Sequence, residues 1–227
     1  LLYKKEKSYE GTKTNSQRVL EQLQSDLRLQ DLPKHIECFD NSNIQGTNAA
    51  SACVVFKNAK PSKSDYRKYN INTVQGPDDF ASMTEVVYRR YKRLRDEDEP
   101  FPQLIIIDGG KGQLSASVSA LRSLNLYGQI PIIGIAKKLE EIYFPGDSVP
   151  LHLDKRSESL KLIQQLRNEA HRFSLAHHRH KRSKAAINSE LANIKGVGPR
   201  SIEALLSQFK SVKKIREASL DQLENTL

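Results

Sequence analysis

Two aspartates and a histidine occupy positions from which their side chains could form a divalent-cation site. Asp40 ends the apolar segment 36–40, Asp108 follows the apolar run 104–107, and His171 lies far downstream. A carboxylate at the end of a buried strand is costly unless a partner or a cation compensates its charge. Two such strands side by side would place both carboxylates at one sheet edge. There they could hold a hard divalent cation over a phosphodiester.

Each of these residues also has an ordinary structural interpretation. An aspartate at a strand end often caps the next turn, and Asp108 is followed by Gly109 and Gly110, which suit a turn. His171 precedes a histidine-rich basic run, 177–182, whose side chains could simply be exposed. Together, two strand-end acids, a third candidate ligand and a basic chain favour a site for Mg²⁺ or Mn²⁺. In such a site His171 would be a neutral ligand or a general base.

The composition narrows the class of partner. The chain has 227 residues, a net charge of +9 and a pI of about 9.5, which favours nucleic acid as a partner and an anionic membrane surface as the second choice. No apolar run approaches the roughly 18 residues of a membrane span. The two cysteines, Cys38 and Cys53, suit reduced core thiols and a cytoplasmic protein. The absence of a signal peptide and of an initial Met suggests a fragment of a longer protein.

The surrounding elements predict an α/β fold with a mixed β-sheet flanked by helices. Three strand-like segments with short links precede alternating helices and buried strands, and a long helix follows. We expect a linker and lead-in helix at 1–33, a catalytic domain at 34–186 and a small all-α unit at 187–227. The predicted strands are 36–40, 50–57, 65–73, 104–107 and 130–136, and the predicted helices are 16–29, 76–95, 111–124, 157–184, 191–194, 201–209 and 219–227.

Several basic and glycine-rich positions are candidates for phosphate contacts. The tight turn 195–200 would present backbone N–H groups at a helix N-terminus, where phosphate binds well. The turn could instead be an ordinary glycine-capped helix turn. The basic side chains could simply be solvated charges. The candidate DNA-binding residues are Lys111, Lys137, Arg179, Lys181, Arg182, Lys195, Gly196, Gly198 and Arg200.

Several long motifs resemble the C-terminal half of UvrC, the nuclease subunit of bacterial nucleotide excision repair, from about residue 30 to the end. The matching segments are FDNS (39–42), ACVVF (52–56), DYRKYNI (65–71), DDFASM (78–83), IDGGKGQL (107–114) and RNEAHRF (167–173). The resemblance implies an RNase H-like endonuclease domain followed by a helix-hairpin-helix domain, the latter partial here. Two positions depart from the family pattern, Asn41 where Ile is common and Phe80 where Tyr is common. Neither removes a candidate ligand.

The resemblance also implies roles for individual residues. The catalytic aspartates of the family fall on Asp40 and Asp108, and its histidine falls on His171. Asp79 is a further functional position, although spacing alone interprets Asp78 and Asp79 as a helix N-cap and a dipole partner. The implied activity is Mg²⁺- or Mn²⁺-dependent incision of damaged double-stranded DNA on the 5′ side of a lesion.

The implied partners are UvrB, through a region absent from this sequence, and the UvrA–UvrB lesion-recognition system. Because the GIY-YIG nuclease domain of the family is also absent, 3′ incision is not expected. Two alternatives stay open. The chain could be a non-catalytic DNA-binding module in which the acids only structure turns. It could also be an RNase H-like nuclease with another substrate, such as an RNA–DNA hybrid.

Overall fold

The apolar run that precedes Asp108 forms an inner strand of a mixed sheet. The computed structural model describes residues 14–42, 50–71, 74, 78–136, 140–194 and 196–226, without the side chains of residues 42, 50, 176–190 and 192. All five residues of this strand are buried, as expected for a strand covered by helices on both faces. The strands are β1 (His35–Ser42), β2 (Ala50–Lys57), β3 (Lys60–Pro61), β4 (Arg67–Asn70), β5 (Leu104–Asp108), β6 (Ile132–Ala136) and β7 (Glu141–Tyr143).

The strand order places the two acid-bearing strands next to each other. The seven-stranded sheet runs β3-β2-β1-β5-β6-β7, with β4 also paired to β2. β1 is antiparallel to β2 and parallel to β5, and β6 is parallel to β5. The predicted mixed sheet is therefore confirmed. In its parallel part, the carboxyl ends of β1, β5 and β6 lie at the same edge of the sheet.

Helices connect and cover these strands. α1 to α7 cover Asn15–Asp26, Asp79–Asp96, Lys111–Ser123, Glu158–Ala192, Pro199–Phe209, Val212–Glu217 and Leu220–Glu224, and a 3₁₀ turn covers Lys63–Asp65. Within the described part of the chain, no helix is long and apolar enough to cross a bilayer. The chain divides into two compact units, Leu1–Leu175 and Ala176–Leu227.

The predicted strand 65–73 is shorter in the structure. Its first part is a 3₁₀ turn, in which Ser62 Oγ donates to Asp65 Oδ2 at 2.6 Å and Lys57 Nζ lies 2.7 Å from the same oxygen. These bonds favour the turn over an extended start. Residues 72 and 73 lie outside the described residues.

The sequence pattern also missed short elements and one helix end. β3 and β7 have two and three residues, too few for a periodic signal. The helix predicted at 157–184 continues to Ala192, so the separate helix predicted at 191–194 is wrong: its first two residues end α4. α6 was not predicted. The proposed domain boundary at 186/187 therefore falls inside α4 and stays a prediction.

A buried ion pair joins α2 to β1. The Glu37 carboxylate accepts hydrogen bonds from Arg90 Nη2 at 2.5 Å and Nε at 3.2 Å, and from the Tyr91 hydroxyl at 2.9 Å. Burial alone would raise the pKa of Glu37. Interactions with His35 and Arg90 outweigh that effect and lower the pKa to about 2. The carboxylate is therefore held ionised in the core.

The second unit has its own small core. The buried residues at its centre are Leu191, Ile202, Leu205 and Ile215. Gly196 has a φ of +91°, which a residue with a side chain rarely adopts. Gly198 is the N-cap of α5, and Pro199 occupies its first turn, a common position for proline. This geometry produces a tight turn before α5, as the sequence predicts.

Candidate metal centre

The register of β1 and β5 places Asp108, the last residue of β5, beside Asp40, which lies two residues before the end of β1. The strand predicted at 36–40 is therefore longer in the structure, and Asp40 follows its parallel part. Phe39 pairs with Ile107 in the parallel ladder, so Asp40 and Asp108 are the next equivalent pair. Side chains alternate between faces along a strand, and residues in register share a face. Both aspartates are almost completely buried, with exposures of 1% and 3%. The pair predicted from two separate segments therefore lies at one sheet edge.

α4 brings His171 to the same edge. Ile163, Leu166 and Ala170 are fully buried in the core of the first unit, and His171 follows directly after them. Its Nδ1 lies 3.2 Å from Asp40 Oδ2, and its side chain is 45% exposed. The apolar stripe therefore fixes the helix, while the imidazole stands between the buried carboxylates and solvent.

These three side chains form a suitable donor set for a divalent cation. One ligand atom from each of Asp40, Asp108 and His171 can be chosen so that all lie within 4.8 Å of one another. Ligands on opposite sides of one Mg²⁺ would be about 4 Å apart, since each lies about 2 Å from the ion. Shifts below about 1 Å would close the set, and two oxygens with one imidazole nitrogen suit Mg²⁺ or Mn²⁺. The residues fit the cation that the sequence predicts.

Asp79 lies near this edge but outside the three-residue group. Asp78 Oδ1 accepts from the backbone N–H groups of Phe80 and Ala81 at 3.0 and 2.9 Å, so Asp78 is the N-cap. Asp79 is the first residue of α2 and is exposed. Asn41 Nδ2 donates to the Asp79 carbonyl at 2.9 Å. Asn41, the residue after Asp40, is thus hydrogen-bonded to the start of α2. The catalytic role of Asp79 stays a prediction.

A largely buried arginine lies one helical turn before His171. Arg167 Nη2 is 3.8 Å from Glu140 Oε1, and Gln164 Nε2 donates to the same oxygen at 2.6 Å. Burial raises the pKa of Cys38, with further contributions from the negative charges of Asp108 and Asp40, whereas Arg167 opposes the rise.

Sequence reasoning assigned no role to Arg167 or Glu140. The available signal was the spacing of four residues between Arg167 and His171, which places the two on one helix face. Glu140 gave no comparable signal, because it belongs to no predicted strand or helix.

The turn after Asp108 leaves no room for a side chain on the neighbouring strand. The Gly109 N–H donates to the carbonyls of Ile107 and Ile135 at 2.9 and 3.1 Å. A Cβ on Gly134 would lie 3.0 Å from the Gly109 carbonyl oxygen and 3.3 Å from Leu114 Cβ. Gly134 therefore allows the turn that carries Asp108 to pack on β6.

We expect Gly134→Ala to weaken binding of Mn²⁺ because the added methyl group displaces the turn next to Asp108. Overpacking of this kind costs about 1–3 kcal/mol, partly offset by the lower conformational entropy of alanine in the unfolded chain. The measurement is the thermal unfolding midpoint at increasing Mn²⁺ concentrations, which gives the Mn²⁺ affinity. Gly134→Val should have the larger effect, and equal Mn²⁺ affinity in all three proteins would contradict this role of Gly134.

The predicted DNA-contact residues are spread over both units. Lys111 Nζ donates to the Ser148 carbonyl at 2.6 Å and lies 5.0 Å from the centre of the Tyr143 ring. Gly196, Gly198 and Arg200 belong to the turn and first turn of α5 described above, and Arg200 is exposed. Lys137 and Lys195 lie outside the described residues, as do the side chains of Arg179, Lys181 and Arg182 within α4.

The fold and the donor set define the class of this domain. A mixed sheet with acids on adjacent parallel strands, and a histidine supplied by a later helix, is the arrangement expected of an RNase H-like domain. In agreement, the UvrC RNase H endonuclease domain profile matches residues 24–175. A SAM-like helix-hairpin-helix tandem profile matches residues 189–226.

The chain belongs to the UvrC family. It is 64% identical to UvrABC system protein C of Christiangramia forsetii over 92% of this chain and 35% of that protein. It is 57% identical to the Porphyromonas gingivalis W83 protein over 97% of this chain and 38% of that protein. The chain thus spans little more than a third of these relatives. Endonuclease V of Ciona intestinalis is a structural neighbour with 19% identity, a TM-score of 0.36 and coverage of 66% of this chain and 65% of that chain.

Proposed function

We propose that this segment hydrolyses one phosphodiester of damaged double-stranded DNA, on the 5′ side of a lesion, during nucleotide excision repair in the cytoplasm. The observation that carries the proposal is the group formed by Asp40, Asp108 and His171, whose ligand atoms lie within 4.8 Å. Membership of the UvrC family supports the repair context. UvrA and UvrB are the proposed partners that locate the lesion and present the DNA.

In this proposal the role of each of the three side chains follows from its burial. Asp40 and Asp108 are buried and held by the strand register, so their oxygens are oriented before a cation arrives. His171 is partly exposed and supplies the third ligand from the solvent side. A bound Mg²⁺ or Mn²⁺ would activate a water and stabilise charge that develops on the phosphate. Asp79, at the start of α2, would help to orient water at the site.

We propose that the second unit binds the DNA backbone. Its turn before α5 joins a positive helix end to the exposed Arg200, and both favour phosphate without reading base sequence. Lys111 and Lys137 in the first unit, the basic run with Arg179, Lys181 and Arg182, and Lys195 complete the set of proposed phosphate contacts.

We expect Arg200→Gln to weaken DNA binding with little dependence on sequence. Loss of one phosphate contact should reduce the slope of log affinity against log salt by about 0.9. The measurement is fluorescence anisotropy with a labelled duplex at several salt concentrations. Lys213→Gln is the control, because Lys213 is 86% exposed and lies on α6. Equal losses in both variants would argue for general charge attraction instead of a defined contact.

The proposed activity is tested by mapping incision on a duplex with one defined lesion. The longer protein that carries this segment is combined with UvrA, UvrB and either Mg²⁺ or Mn²⁺. A cut on the 5′ side of the lesion is expected, and none on undamaged duplex. Preferential cleavage of an RNA–DNA hybrid would instead support a different RNase H-like nuclease. DNA binding without cleavage or Mn²⁺ binding would support a non-catalytic module.

A further inference from the structure

One aromatic ring is exposed beside the candidate metal centre. Phe80, the second residue of α2, is 56% exposed, compared with 41% for Tyr127 and 36% for Tyr88. An exposed phenyl ring on a folded domain has an unfavourable contact with water unless a partner covers it. Single exposed hydrophobic residues are common, so its surroundings must decide whether this one has a function.

The surroundings hold the ring in a defined place. A Cβ built on Gly112 would lie only 2.5 Å from Phe80 Cε1, so the ring rests against the side of α3 that lacks a side chain. Further along α2, the Thr84 hydroxyl lies 3.3 Å from the Ala116 carbonyl of α3. The two helices are therefore fixed together where Phe80 lies between their first turns.

This place is at the sheet edge that carries the acids. The carbonyl of Asp79 is bonded to Asn41, which follows Asp40 at the end of β1. Gly112 is four residues after Asp108, a span of at most about 15 Å at 3.8 Å per residue. Because nucleotides are about 3.4 Å apart along one strand of a duplex, the Gly112 backbone that the ring contacts is within about five nucleotide steps of the Asp108 backbone.

We propose that Phe80 stacks on a base of the DNA strand that the metal centre cuts, and so positions that strand for incision. The inference rests on the proposed nuclease function and adds a positioning residue to it. An aromatic face accepts any base, so the contact tolerates all sequences, as a lesion-directed nuclease requires. A base that leaves its stack beside a lesion has its apolar face available for such a ring.

The neighbouring helix end suits the phosphate of the same nucleotide. Gly110 is the N-cap of α3 and provides no side-chain hydrogen bond to the first turn of the helix. The positive end of the 13-residue α3 therefore lies beside the Phe80 ring, and such an end attracts phosphate. A nucleotide could place its base on the ring and its phosphate at the helix end. An apolar protein surface has no phosphate to place there.

The test uses the longer protein with its repair partners and a lesion duplex that carries 2-aminopurine at single positions near the 5′ incision site. In an Asp108→Asn background, which prevents cleavage, the fluorescence of 2-aminopurine reports whether the base changes its stacking. Phe80→Leu should abolish the fluorescence change at one or two positions and lower the incision rate of otherwise unaltered protein. Loss of one base–aromatic stack corresponds to about a 5- to 150-fold effect. Phe80→Tyr should restore both signals.

Two further variants separate stacking from a general structural role. Tyr88→Leu removes another exposed aromatic from α2, two turns away from Phe80, and should leave both signals unchanged. Gly112→Ala should improve the intrinsic helix propensity of α3 while its methyl group displaces the ring. It should therefore reduce incision without lowering the thermal unfolding midpoint.

The outcomes distinguish this inference from the proposed function. If the unaltered protein makes no 5′ incision, the proposed function fails. If it incises, but Phe80→Leu cuts at the same rate and gives the same 2-aminopurine signals, only the stacking inference fails. Equal losses in Phe80→Leu and Tyr88→Leu would also overturn it. If Phe80→Leu weakens binding of a protein partner but leaves the 2-aminopurine signals unchanged, Phe80 contacts that protein. The proposed contact with a base would then be wrong.

Discussion

Asp108→Asn is expected to lower the rate of 5′ incision by at least about 10²- to 10³-fold, since a metal ion contributes several kcal/mol to charge stabilisation. Asparagine keeps the shape of the side chain but removes the negative charge that the cation needs. Asp108 and Asp40 are adjacent buried acids with ligand atoms within 4.8 Å, so one substitution also relieves a repulsion between them. Mn²⁺ should consequently raise the unfolding midpoint of the unaltered protein more than that of the variant.

The matched control is Asp96→Asn, which makes the same chemical change on the exposed surface of α2. Asp96 pairs with the exposed neighbours Lys92 and Arg95, and such pairs contribute little. Incision should stay within about twofold of the unaltered rate, because solvent screens an exposed pair that is remote from the metal centre. Undiminished incision by Asp108→Asn would reject the assignment of this carboxylate to the metal centre.

Glu37→Gln is expected to destabilise the first unit by about 3–5 kcal/mol, because it leaves Arg90 buried without its counter-charge. Arg90 is 7% exposed and Glu37 is fully buried. The oxygen of the glutamine amide can accept a hydrogen bond from the Arg90 guanidinium. Its NH₂ group takes the place of the other carboxylate oxygen and cannot accept from the guanidinium. Urea unfolding at neutral pH measures the loss. Glu97→Gln is the control, since Glu97 forms an exposed pair with Arg93 on the same helix and should cost less than about 0.5 kcal/mol.

A double substitution tests whether the penalty comes from the stranded charge. Replacing both Glu37 and Arg90 with methionine should cost less than Glu37→Gln alone, because no charge remains buried. The Tyr91 hydroxyl loses its carboxylate acceptor in both cases, so the loss of that charged partner is common to both variants. A double variant that is less stable than the single one would show that packing, and not charge, dominates at this position.

The same residue predicts how stability depends on pH. The pKa of Glu37 is lowered to about 2 in the folded chain, from an ordinary value of 4.5. Its contribution is therefore fully present above about pH 4.5 and is lost as the pH falls toward 2. Glu37→Gln should flatten this part of the stability curve, which acid unfolding of the two proteins would measure.

The sequence predicted the main elements because their patterns are long. The run before Asp108 is continuously apolar, and the stripe before His171 has helical spacing over three turns, so both could be assigned locally. Short elements escaped prediction, because two or three residues in β3 and β7 have no measurable period. The environment of Glu37 also escaped, because its partner Arg90 lies 53 residues away and no local pattern joins them.

The sequence by itself determined which chemistry was available. It specified two strand-end carboxylates, a helical histidine, a basic chain and motifs long enough to indicate the UvrC family. Only the tertiary structure decided the register that aligns β1 with β5 and the rotation of α4 that places His171 3.2 Å from Asp40. It also decided that Asp79 lies outside the three-ligand group and that Phe80 rests on Gly112. The physical reason is that such placements depend on packing between residues that are distant in sequence, whereas strand and helix patterns are local.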